Sequence, residues 1–324
     1  MKEKIDLGVY AGLGQNGALF SMYLPDIIEE HPKLRILTAD MSYIAKLERF
    51  KTLYPEQFIN VGIAEQNMLG VCAGLSSEGF KCVALAQAAF ITMRCFEQVR
   101  QYMSYMQYPI ILIGLASGFQ LQFMGNSHYA LEDIALMRSI PGIVIMSPAD
   151  AGEAVKCFQE ALNLNRPVYI RFSGDVSNCI YTEDFQYICG KSVCIKDGKD
   201  VVLFTTGSMV EPALKAAKIL EERKGLSVKV VDMHTIVPLD KEAITKARDC
   251  KLLVSVEEHH LNGGLGSAIS DFTSSLAFSP PLLKLGVGDN YSEVGDYEYL
   301  LKQHRLTPEL IADDIIDKIN NMFE

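Results

Sequence analysis

The chain has 324 residues, of which 49% are apolar and 22% charged, and a formal net charge of −10 at pH 7. That length allows about two domains with a large core, and the acidic balance excludes a nucleic-acid surface, which needs a basic face. No apolar run reaches the length of a membrane span, and the opening MKEKIDLGVY carries no secretory or transit pattern.

In chain order, apolar strand-like runs alternate with helical periodicity. LRILTADM, KCVALAQ, YPIILIGLA, GIVIMSP and PVYIRFS read as buried parallel strands. Between them GALFSMYLPDIIEEHP, NMLGVCAGLSSEG, FITMRCFEQVRQYMSYMQ, ALEDIALMRSI and ADAGEAVKCFQEALNLN read as helices, with Ser147 and Asp150 as start signals for the last. From Asp175 to Asp200 the text turns polar and irregular, a linker with a short hairpin. A second alternation follows, from VVLFTTGS to LLKLGV. The expected fold class is α/β, two domains each with a mainly parallel sheet flanked by helices. The boundaries are 1–183, a linker at 184–199, and 200–324. Eight scattered cysteines without a Cys-x-x-Cys pair predict free thiols, a cytoplasmic location and no metal site in this chain.

Two local features suggest chemistry. GLGQNG, with Gly12, Gly14 and Gly17, fits Gly-x-Gly-x-x-Gly, and Asp40 stands where a ribose-binding acid would. A lone match of this kind is weak, and the glycines also suit a turn before a helix. In FINVGIAEQNM a single acid, Glu65, interrupts an apolar, small-residue run. Burying an unpaired carboxylate is costly. Glu65 therefore reads either as an acid favoured at a helix start or as a functional group.

Several phrases together resemble the transketolase family of thiamine-diphosphate enzymes: TADMS (38–42), FINVGIAEQNMLGVCAGLSSEG (58–79), MRCFEQVR (93–100), HYALEDIALMRSIPGIVIMSPADAGE (128–153), VVDMHTIVPLD (230–240) and VSVEEHHLNGGLGSAI (254–269). The resemblance runs along nearly the whole chain. It covers only the pyrimidine-binding and C-terminal domains, and no Gly-Asp-Gly of the diphosphate-binding domain occurs. It implies the smaller subunit of a split transketolase. A separate N-terminal subunit would supply the diphosphate site and its Mg2+ or Ca2+, and the two chains would share thiamine diphosphate in a heterotetramer built on a homodimer.

By the same resemblance, Glu65 hydrogen-bonds N1′ of the cofactor's aminopyrimidine. A carboxyl group raised in pKa by an apolar pocket would share its proton there and favour the imino form, whose nitrogen takes the proton from the thiazolium C2. His128 corresponds to a histidine near the substrate's reacting end, although a hydrogen-bonded helix-start histidine beside Ser127 is the alternative. Asp40 corresponds to an aspartate at the subunit interface beside the cofactor, with helix capping as its alternative. Ile63, Gln87 and Phe90 are expected to line the cofactor. Glu257, His259 and the 263–266 glycines are expected to shape the second domain and a dimer contact.

Four positions depart from the family. Gln87 stands in place of a stacking aromatic ring, leaving Phe90 as the nearest. Ala116 replaces a histidine, Met124 replaces an acid that reads sugar hydroxyls, and Gly174 replaces a phosphate-gripping arginine. Loss of a bidentate arginine–phosphate contact predicts an atypical two-carbon ketol donor or acceptor, such as an unphosphorylated ketose or a nucleotide-linked sugar. Alternatives are the beta subunit of a 2-oxo-acid dehydrogenase's decarboxylating component, a non-catalytic family member and, from GLGQNG, a nicotinamide dehydrogenase. The expected ligands are small molecules, with no nucleic acid and no membrane.

Overall fold

The computed structural model describes residues 6–173 and 179–322. Gly174, the position read as a lost phosphate grip, lies outside the described residues. Twelve strands are observed among the described residues: β1 (Leu34–Thr38), β2 (Phe58–Asn60), β3 (Lys81–Gln87), β4 (Ile111–Ser117), β5 (Val144–Met146), β6 (Val168–Ser173), β7 (Val193–Lys196), β8 (Val201–Thr205), β9 (Val228–Asp232), β10 (Thr235–Val237), β11 (Leu252–His260) and β12 (Leu282–Val287). The helices that matter here are α1 (Glu65–Ser77), α2 (Asp133–Arg138), α3 (Ala151–Asn163), α4 (Val210–Lys224), α5 (Lys241–Lys246), α6 (Leu265–Thr273), α7 (Tyr297–Gln303) and α8 (Pro308–Asn320). The last two close the second domain, beyond the final strand-like run that the sequence shows.

The first sheet has the order β10-β5-β6-β4-β3-β1-β2, parallel except for β10. The second has the order β12-β11-β8-β9-β7, parallel except for β7. Strand alternation explains the layers. On β3, Val83 and Leu85 pack with Phe20, Phe50 and Phe158 on one face. Cys82, Ala84 and Ala86 face the other way, onto Met68, Leu69 and Cys72 of α1. Covering both faces is what makes the central strands continuous apolar runs. Asp150 caps α3, its Oδ1 accepting from the Glu153 amide at 2.8 Å, as its position before the helical run predicts.

Two findings depart from the sequence reading, and the second ties the units together. Val193–Lys196, inside the segment expected as linker, pairs antiparallel with β9. The run VKVVDMHTIV does not stay in one sheet: after Asp232 it crosses over, and β10 pairs antiparallel with β5 of the first sheet. The cross-domain seam is polar and buried. Arg171 donates through Nε to Asp133 Oδ2 (2.8 Å) and through Nη2 to the carbonyls of Ala130 (3.1 Å) and Glu258 (2.9 Å). Glu258 in turn accepts from the Phe119 amide (2.5 Å), from Ser208 Oγ and from Tyr297 OH (2.7 Å).

Candidate active site

The site residues gather at the carboxyl ends of the parallel strands of the first sheet, where open α/β sheets bind ligands. Gln87 ends β3, Asn60 ends β2, and Asp40 lies two residues beyond β1. Glu65 is the first residue of α1, only 6% exposed. A helix start suits an acid because free amides and the dipole favour negative charge there.

The surroundings of Glu65 correct the expectation of an apolar pocket. Arg94 Nη1 donates to Glu65 Oε1 at 3.0 Å, an ion pair that offsets much of the penalty of burying the acid. The Arg94 guanidinium lies over the Phe90 ring, 4.1 Å from its centroid. Phe90 meets the imidazole of His128 edge-on, with centroids 5.2 Å apart. Gln87, buried, reaches the His128 carbonyl through Nε2 at 3.4 Å. Thus Glu65, Arg94, Phe90, His128 and Gln87 form one continuous chain of contacts. Beneath it, Cys95 is buried, and burial followed by the Glu65 charge pushes its thiol up to about 12.

His128 is half-buried and its Nδ1 lies 2.9 Å from Ser127 Oγ. No helix starts there, since α2 begins at Asp133; the imidazole is held by Ser127 and Phe90. Its loop is fastened to the second domain. Asn126 donates to the Ser292 carbonyl (2.7 Å) while the Ser292 amide donates to Asn126 Oδ1 (3.1 Å). Phe119 stacks on His304 at 5.2 Å, whose Nε2 is 2.7 Å from Ser292 Oγ. Nothing in the local sequence around His128 announces these partners, which lie more than 160 residues away.

Asp40 is exposed and does not cap a helix. It exchanges hydrogen bonds with Asn60: the Asp40 amide donates to Asn60 Oδ1 (3.0 Å) and Asn60 Nδ2 donates to Asp40 Oδ1 (3.2 Å). Ile63 is 80% exposed, and Phe123 and Met124 are also exposed (69% and 56%). Asp40 and Ala116 both adopt left-handed backbone, with φ 58° and 55°. Such conformations are disfavoured for side chains with a Cβ and concentrate at functional sites.

Other expected residues have structural duties. Glu257 is fully buried and accepts from the Leu265 and Gly266 amides (2.6 and 2.7 Å) at the start of α6; burial pushes its carboxyl up to about 7. Burial pushes the His259 imidazole down to about 4; its Nδ1 lies 2.7 Å from the His260 carbonyl and its Nε2 accepts from the Ala135 amide at 3.3 Å. Among the described residues no strand precedes the GLGQNG stretch: Leu7–Tyr10 form a 3-10 turn. The dinucleotide motif needs a strand there. Gln15 of this stretch instead bonds the Pro148 carbonyl (2.8 Å) and the Ser173 amide (2.8 Å), so the segment serves packing.

Two mainly parallel sheets flanked by helices, with an acid at a helix start joined through Arg94 to an aromatic ring and a histidine at the sheet's carboxyl edge, define a two-domain α/β protein. The profile of the transketolase pyrimidine binding domain matches residues 15–175, and that of the transketolase C-terminal domain matches residues 190–311. An apulose-4-phosphate transketolase subunit of Actinobacillus succinogenes is 34% identical over 86% of this chain and 89% of its own. The 6-deoxy-6-sulfo-D-fructose transketolase subunit SqwH of Clostridium sp. is 32% identical over 89% of each chain. A solved structure described as a split gene transketolase, inactive beta4 tetramer, superposes with a TM-score of 0.84 at 34% identity, covering 95% of this chain and 98% of that one. The chain belongs to the transketolase family and corresponds to the C-terminal section of a split transketolase.

Proposed function

We propose that this chain is the pyrimidine-binding half of a thiamine-diphosphate-dependent ketol transferase, active when a second chain supplies the diphosphate and metal site. The observation that carries this reading is the convergence of Glu65, Phe90 and His128 at the carboxyl edge of the first sheet, in a chain of this family. The donor set fits the aminopyrimidine end of the cofactor: a carboxylate whose Oε2 has no protein partner among the described residues, an aromatic face and a flanking histidine. It does not fit the diphosphate end. The sequence has no Gly-Asp-Gly, and no group of three or more His, Cys, Asp or Glu among the described residues could hold a metal ion.

When bound, thiamine diphosphate supplies the carbanion chemistry that breaks and makes the carbon–carbon bond. This chain's residues do the rest. Glu65 would share a proton with ring nitrogen N1′ through its carboxylate. Phe90 offers its face or edge to the pyrimidine, and His128 stands beside it to hold or deliver a proton on the substrate's oxygen. Asp40, Gln87 and Ile63 line the rim. The family's aminopyrimidine site lies between chains, and the match to an inactive beta4 tetramer supports a two-plus-two assembly with the N-terminal subunit. The replaced positions Ala116 and Met124, and two relatives named for apulose 4-phosphate and a sulfofructose, support a donor or acceptor other than the usual xylulose 5-phosphate and ribose 5-phosphate.

Steady-state assays on the reconstituted pair test this. Transfer of a two-carbon unit from a ketose to an aldehyde should require both chains and thiamine diphosphate, and Glu65→Ala should lower kcat by about 10²–10⁴-fold, the usual contribution of a positioned acid–base group. Turnover by either chain alone would refute the split-enzyme reading. Ordinary efficiency with xylulose 5-phosphate and ribose 5-phosphate would refute the atypical substrate.

A further inference from the structure

Arg94 is the one member of the contact chain that sequence patterning does not single out. Glu65 is 6% exposed, and a carboxyl group buried to that extent needs a hydrogen-bonding partner. Among the described residues, the hydrogen bond it receives on its carboxylate comes from Arg94, at Oε1. Three constraints fix that guanidinium. The carbonyl of Arg94 accepts from Gln66 Nε2 at 2.9 Å, tying its backbone to the first turn of α1. Its planar face rests on Phe90 at 4.1 Å, and Nη1 points to Glu65 at 3.0 Å. A planar fork that is stacked on one side and anchored in its backbone arrives in a single place, which a flexible ammonium does not.

We propose that Arg94 is a positioning residue for Glu65: it grips Oε1 and so turns Oε2 toward the place of the cofactor ring, an inference that rests on the functional reading above. The geometry makes the division of labour clear. One carboxylate oxygen is taken by a charge-assisted hydrogen bond, the strong kind, and the other is left for a ring nitrogen. Preorganising an acid in this way spares the cofactor the work of orienting it on arrival. Because Arg94 also lies on Phe90, the same side chain fixes the spacing between the acid and the ring that flank the pyrimidine.

The experiment is a double-mutant cycle on thiamine diphosphate affinity, read by titration calorimetry on the reconstituted pair with Mg2+. Arg94→Met keeps apolar bulk over Phe90 and drops the fork; it should weaken binding about tenfold, equivalent to ~1.4 kcal/mol. Arg94→Lys keeps the charge without the stacked plane and should fall between. In a Glu65→Gln background, Arg94→Met should have little further effect, since Arg94 acts through Glu65. A purely structural role would give additive losses in that background, and that result, or wild-type affinity in both Arg94 variants, overturns the inference. A wild-type pair that binds no thiamine diphosphate overturns the functional reading itself, and the inference with it.

Discussion

Replacing Arg171 with methionine probes the seam on which the site is built. Arg171 and Asp133 are buried, with side chains 2% and 0% exposed. Asp133 Oδ2 also accepts from Tyr169 OH at 2.7 Å, while its Oδ1 has no hydrogen-bond partner among the described residues. The carboxylate therefore depends on the guanidinium for charge compensation. Arg171→Met strands it and also removes the bonds that Arg171 donates to the carbonyls of Ala130 and Glu258. Breaking one side of a buried pair costs about 3–5 kcal/mol. The unfolding entropy of a chain this long is about 0.7 kcal/mol per kelvin. The melting temperature should therefore drop by roughly 4–7 °C, if the two domains unfold together. Differential scanning calorimetry at constant pH reads it. Removing both charges, with Asp133→Asn added, should recover part of the loss, because the lone buried carboxylate is the main penalty. A drop below about 1.5 °C for Arg171→Met, equivalent to about 1 kcal/mol, would refute the claim that this pair holds the seam.

Three further outcomes are expected. Gly118 has φ +65°, and a Cβ there would run into the Glu258 carboxylate; Gly118→Ala should destabilise by about 2 kcal/mol or more and raise KM through the His128 loop, as denaturant melts and steady-state kinetics will show. Asn126→Ala removes the reciprocal bonds to Ser292 and should lower kcat/KM severalfold with a melting temperature shifted by no more than a few degrees. The third concerns pH. Burial pushes Asp232 up to about 7, and burial together with the Asp232 charge pushes Glu153, on α3, well above the ordinary carboxyl range. A carboxyl raised in the folded state binds its proton more tightly there than in the unfolded chain. Its contribution is present at low pH and is lost as pH rises from the ordinary carboxyl value near 4 to about 7. Asp232→Asn should therefore gain relative to wild type in urea midpoint between pH 5 and pH 8; a constant difference across that window would contradict a raised Asp232 carboxyl.

Much of the first sheet can be read from the chain because its strands are buried on both faces, and runs such as KCVALAQ and YPIILIGL have no other use. The cap at Asp150 and the helix that Glu65 opens are equally local, set by residues within one turn. What escapes sequence reading is whatever depends on distance along the chain. Glu65 and Arg94 are 29 residues apart and lie on different elements, so no periodicity pairs them, and the acid looks stranded until the fold brings the guanidinium to it. The crossing of β10 is hidden for a related reason: three residues cannot show which sheet they join, and the preceding apolar run continues smoothly into them. The Glu258 network is similar, since in VSVEEHH two adjacent acids look alike, yet Glu257 caps α6 while Glu258 ties the His128 loop to the second domain.

The central claim is that Glu65 receives the aminopyrimidine of thiamine diphosphate. Titration calorimetry of thiamine diphosphate with Mg2+ into the reconstituted pair, comparing wild type with Glu65→Ala, tests it directly. Saturable binding by wild type and a loss of affinity of about tenfold or more in Glu65→Ala is the predicted result; equal affinity in the two would contradict it.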